Sequence, residues 1–171
     1  MGYTHYWHRP AGTGNRRTFQ QLGIDAKRII FLAKQAGIGI RDGYGLDQPV
    51  FNEQFFSFNG DAEARIENGP DTTIQDLSHE TFFWSCDVEI PDWQRAVSDN
   101  DDTVFHFCKT AYKPYDEVVT AVLIRAKELY GDQLRVASDG SWSDWADGRK
   151  LYERAFGRKA ECPFTSEGVS L

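Results

Sequence analysis

The sequence predicts an α+β fold: a mixed β-sheet with about three helices mostly on one face, including one C-terminal βαβα unit. Three observations carry this. Apolar residues recur at helical spacing around residues 18–37, 114–131 and 144–157. Between them, short alternating or aromatic runs at 2–8, 38–42, 54–58, 81–86, 103–109 and 134–137 read as strands. A chain of 171 residues without an internal repeat or low-complexity linker fits one globular domain, 1–157, with an irregular tail at 158–171.

The first strand alternates aromatic and polar residues from Tyr3 to His8, which puts Tyr3, His5 and Trp7 on one face and His8 on the other. After the 11–15 loop, Thr18 is the expected N-cap of a helix carrying Phe19, Leu22, Ala26, Ile29, Ile30 and Ala33 and closed by Gly37. Gly23 weakens the first turns, so regular helix is expected nearer Asp25. The strand at 54–58 is expected to stop at the turn dipeptide Asn59-Gly60. Residues 62–78 show little periodicity beyond a turn at Gly69-Pro70, and 92–102 is acidic and turn-like.

The second half is better punctuated. In 103–109, Phe105, Phe107 and Lys109 share one face, and Val104, His106 and Cys108 the other. Pro114 opens a helix where its missing N–H costs least, and Gly131 ends it after an apolar stripe from Val118 to Tyr130. Ser141 and Asp144 form a capping-box pattern with Asp in place of Glu, ahead of a last helix ending at Gly157. The strand–helix–strand unit from 103 to 137 is expected to cross over right-handed and give two parallel strands.

A net charge of −7 argues against a protein that coats long nucleic acid, and Arg16-Arg17 is too short to form a basic patch. No run approaches the roughly 20 apolar residues of a membrane span, and residues 1–9 lack the apolar core of a secretory signal. Cys86, Cys108 and Cys162 have no metal-like spacing, and free thiols in the cytoplasm are the expectation.

The loops leaving two parallel strands emerge at one sheet edge, beside helix N-termini that favour phosphate or carboxylate. Lys109, Thr110, Tyr112 and Lys113 lie on the first loop, and Asp139 and Trp142 on the second. Lysines supply charge, Thr110 a hydroxyl, and Tyr112 or Trp142 a stacking face. Asp116 and Asp144 have the plainer role of stabilising first helical turns. His5 and Trp7 form a second concentration, with His5 expected to stack on Trp7 or Tyr6 in the core. Asn59 would mark another sheet edge. The glycine spacing of a P-loop or dinucleotide fingerprint is absent, and the four histidines lack HxxxH or HExxH spacing, so neither metal nor cofactor is expected. His106 with Cys108 and Asp139 could make a nucleophilic set, although residues two apart on a strand rarely meet at a useful angle, and a buried inert thiol is the ordinary outcome for Cys108.

The words GYTHYW (2–7), FCKT (107–110), KPYD (113–116) and SDGSW (138–142), the last followed by Asp144 and Trp145, resemble a family of small hypothetical proteins of bacteria and bacteriophages. The resemblance spans residues 2–157 and implies a compact intracellular protein without transferring an activity. A phage setting suggests sequestration of a small phosphorylated or nucleotide-like ligand as a counter-defence function. The alternatives are a small hydrolase or transferase using His106, Cys108, Asp116 or Asp139, and an inhibitor that binds a host protein through exposed aromatics. A homo-oligomer is equally open.

Overall fold

The computed structural model describes residues 2–95 and 102–165. It has the α+β class and the C-terminal strand–helix–strand–helix order that the sequence predicts. The acidic stretch at 96–101 and the end of the tail at 166–171 lie outside the described residues.

Strand β1 (Thr4–Pro10) is central to a three-stranded sheet, between β8 (Thr103–Lys109) and β9 (Arg135–Ser138), and antiparallel to both. β8 and β9 therefore run parallel to each other as expected, but β1 lies between them. A second sheet is built on β4 (Phe55–Gly60), which pairs with β2 (Ile40–Arg41), β3 (Val50–Phe51) and β7 (Phe82–Ser85). Asn59 and Gly60 are not a turn: they continue β4 and pair with Arg41 and Ile40. The weakly periodic 62–78 region holds a hairpin of β5 (Ala64–Asn68) and β6 (Asp71–Gln75), turning at Gly69 with φ of 66°. Its β6 strand is exposed throughout, so no hydrophobic alternation marks it.

Helix α1 (Arg16–Gln35) begins seven residues ahead of Gly23, because Asn15 caps it: the Asn15 side chain accepts the Thr18 N–H at 3.1 Å. Asn15, not Thr18, is the N-cap. Helix α2 (Asp92–Arg95) is a single turn. Helix α3 (Asp116–Tyr130) buries Val118 to Ile124 without interruption and packs against both α1 and α4 (Ala146–Phe156). An ion network ties α1 and α3 to the segment that follows α4. Asp25 of α1 accepts from Arg125 Nε of α3 at 2.7 Å, while Arg125 and Arg158 share Glu128.

The core is one cluster that joins the apolar stripe of α1 to Trp7, Phe56, Phe58, Phe82, Trp84 and Trp145. Along β1 and the residue before it, the inward set is Tyr3, His5, Trp7 and Arg9. The alternation read from the sequence thus holds and extends to an arginine. Both outer edges of this sheet are covered. The Gln94 amide bonds the Thr103 carbonyl and the Phe105 N–H of β8, and the tail lays Phe164 and Thr165 along Val136 of β9. No helix among the described residues is long and apolar enough to cross a membrane.

Candidate functional site

The sequence points first to the loops after β8 and β9. They do meet, because β1 begins between them: the Thr110 N–H bonds the Tyr3 carbonyl at 3.0 Å and the Asp139 N–H bonds the Thr4 carbonyl at 3.0 Å. Asp139 also closes back on β1, accepting from the Thr4 N–H and the Tyr6 hydroxyl, both at 3.0 Å. His5 is fully buried and held between Ser138 Oγ at 2.9 Å and Asp116 Oδ1 at 2.7 Å. Its ring meets Tyr3 and Trp145 edge-on rather than stacking on Trp7 or Tyr6. Thr110, also buried, donates to the same Asp116 oxygen at 2.5 Å.

Other residues of the predicted set have structural employment. Lys113 Nζ donates to the Asp76 carbonyl at 2.7 Å, and the Lys109 stem passes closely over Gly2. Tyr112 stacks on Tyr3 at 3.8 Å. Trp142 is half-buried beneath Arg149 and packs toward Trp145. Trp7 is buried between its aromatic neighbours, stacked with Trp84 and His106. Asn59 makes four hydrogen bonds, donating to the Gly43 and His79 carbonyls and accepting from the Gly60 and His79 N–H groups. It pins two loops.

The nucleophile set of His106 and Cys108 is muted by burial. Cys108 is fully buried, and desolvation, with Glu80 adding to it, pushes its thiol well above the usual range. Burial lowers His106 to about 4, with Arg9 and His8 contributing. Among the described residues no cluster of three His, Cys, Asp or Glu is arranged to hold a metal.

The opposite end of β1 holds what sequence reading passed over. Arg9 is 3% exposed, yet among the described residues it faces no carboxylate. Its guanidinium donates to the Ser85 carbonyl at 2.8 Å, lies 4.3 Å from the centroid of the Trp84 ring, and has a lowered pKa because burial disfavours its charge. Arg9 lines a cavity of about 370 Å³ formed with the 10–15 loop, Thr18, Cys86, Val88 and the end of α3. Among the described residues the lining contains no Asp or Glu, in a protein of net charge −7. Helix α1 points its N-terminus here, with Arg16 and Arg17 and no acid in its first turn.

The loop is built by its glycines. Gly12 has φ of 111°, and a side chain at Gly14 would run into the Cys86 carbonyl. Asp87, outside the lining, fixes the loop by accepting the Gly14 N–H at 2.9 Å. Tyr130 Oη accepts the Trp84 indole N–H at 3.2 Å. An indole N–H only donates, so the tyrosine proton remains to be given elsewhere. The cavity therefore presents a guanidinium, a phenol proton, the Thr13 and Thr18 hydroxyls and a helix N-terminus. The sequence signal that could have found it is the pair Gly12 and Gly14 just ahead of a helix N-cap. No family model, curated protein or solved structure matches this chain.

Proposed function

We propose that this protein binds, without turning over, a small phosphorylated or nucleotide-like anion in the Arg9 cavity. The observation that carries the reading is Arg9 itself. A buried guanidinium without a carboxylate is costly, and proteins normally pair such a charge. An anion in the adjoining cavity would complete the pair. A volume of about 370 Å³ falls within the range of small-molecule sites, and Leu129, Val88 and the Tyr130 ring offer an apolar wall to the organic part of the ligand.

Binding rather than catalysis is favoured by what lines the cavity. Cys86 is its one thiol, and burial raises the pKa of that group, with Asp87 contributing. Sequestration of such a ligand in a phage counter-defence setting is the biological role proposed.

The test is a thermal-shift screen with inorganic pyrophosphate and a panel of mono- and dinucleotides. At ligand near 100 times Kd, linkage gives about 2.7 kcal/mol of stabilisation. For a chain of this size that is a rise in Tm of about 5–10 °C. Arg9→Gln should remove the shift, and the ligand should be recovered chemically unchanged after long incubation. Turnover of the bound compound would contradict the reading.

A further inference from the structure

At the His5 end of β1, a chain of hydroxyl, imidazole and carboxylate has proton directions that follow from its partners. Ser138 Oγ receives the Gly140 N–H at 3.0 Å and the Trp145 indole N–H at 3.2 Å. Both groups can only donate. The serine proton is therefore directed to His5 Nδ1 at 2.9 Å, which leaves the ring proton on Nε2 to be donated to Asp116 Oδ1 at 2.7 Å. Thr110 holds that carboxylate oxygen from another side. This is the order in which an imidazole can take a proton from a serine while a carboxylate stabilises the imidazolium.

Two further observations lie on the same spot. Among the described residues the buried Tyr3 hydroxyl makes no well-formed hydrogen bond, with the Ser138 side chain as its polar neighbour and Gly140 beside it. Buried orphan hydroxyls are uncommon and costly, and one beside a serine is placed to donate to charge that develops there. Above Tyr3 lies Tyr112, stacked at an interplanar angle of 17° and 67% exposed. Ala111 and Tyr112 both have left-handed backbones, with φ of 50° and 58°. Two successive non-glycine residues in that region are strained, and such strain collects at clamps and lids. The turn is held by the Thr110 and Ala111 N–H groups, both on the Tyr3 carbonyl.

We propose that Ser138, His5 and Asp116 form a nucleophilic centre for small uncharged carboxylic esters, with Tyr3 as oxyanion donor and Tyr112 as its lid. Ser138 Oγ bonds to the acyl carbon as its proton passes to His5 Nδ1. The ester C–O bond then breaks, and the alcohol leaves with that proton. Water attacks the acyl-serine with His5 again as base, releasing the acid and restoring the serine. Attack requires Ser138 to give up the longer of its two N–H contacts, the one from Trp145. An uncharged substrate follows from the surroundings, because Asp116, Asp139 and Asp144 all lie around the site and repel anions. The centre is independent of the Arg9 cavity, at the other end of the strand.

The test is labelling of the full chain with a neutral fluorophosphonate, located by peptide mass spectrometry, alongside hydrolysis of p-nitrophenyl acetate. A single adduct on Ser138 is expected. Tyr112→Gly removes the lid and suits the left-handed backbone, so labelling should become about tenfold faster, equivalent to about 1.4 kcal/mol of opening cost. His5→Gln should slow labelling by about 100-fold or more, the loss expected on removing a general base. No adduct on Ser138 in either wild type or Tyr112→Gly overturns the proposal. So does labelling at an unchanged rate in folded His5→Gln, which would mean that the serine reacts without its relay.

Discussion

His5 and Arg9 lie on the same face of the same strand, four residues apart, and both are buried, yet the two ends of β1 are treated oppositely. At the His5 end, both ring nitrogens and the facing Asp116 oxygen are engaged by groups from β9, α3 and the 110–112 turn. At the Arg9 end, among the described residues, the charge is met by carbonyl oxygens, the Tyr130 hydroxyl and ring faces, beside a cavity. A buried ion stabilises a fold only when its partners come with it. One end therefore carries its partners within the fold, and the other has the pattern of a receptor awaiting its counter-charge.

Removing one charged residue from each end should separate the two most strongly. Asp116→Ala leaves the His5 N–H and the Thr110 hydroxyl without their acceptor and should cost about 3 kcal/mol in urea unfolding. Arg9→Met removes a charge that has no carboxylate partner, so stability should stay level or rise by about 1 kcal/mol. Equal losses would make Arg9 a structural residue and erase the contrast.

The middle of the strand gives a second, pH-dependent separation. His106, opposite Trp7 in the register, has its pKa lowered to about 4 by burial. The unfolded chain then takes up the proton first, near pH 6.5. Stability is fully present above that pH and is lost as pH falls toward 4, by on the order of 2–3 kcal/mol. His106→Phe keeps the ring against Trp7 and should flatten the pH dependence of unfolding across that window. An unchanged curve would assign the acid sensitivity to other groups.

Smaller effects sharpen each end. Tyr130→Phe deprives the Trp84 indole of its acceptor and the cavity of a donor. A loss of about 1 kcal/mol in stability is expected, together with a weaker pyrophosphate-induced shift. At the other end, Ala111→Gly relieves a left-handed alanine and should raise stability by about 0.5–1 kcal/mol. A loss instead would show that the 111–112 turn is not strained.

The parts of the fold that could be read in advance are those fixed by local chemistry. Pro114 and Gly131 bracket α3, and alternation exposes β1 and β8, because each signal lies within a few residues. Asn15 was missed as a cap because Thr18 is equally suited, and only the observed Thr18 N–H bond decides between them. β3 is two residues long, and β6 buries nothing, so neither carries a period. For the sites, His5, Thr110 and Asp139 stood out as polar residues on promising elements. The partner that orients His5 is Ser138, 133 residues away. Such a pairing is made by the β1–β9 register and has no trace in linear spacing. Arg9 carries no sequence signal of its own. Its meaning comes from the carboxylates that are not beside it, which only the packed chain reveals.

The most direct test of the receptor account is isothermal titration of pyrophosphate into wild type and Arg9→Met at low salt. The account predicts saturable one-to-one binding by wild type and its loss in a variant that is folded and at least as stable. Binding of equal strength in Arg9→Met, or none in wild type, would contradict it.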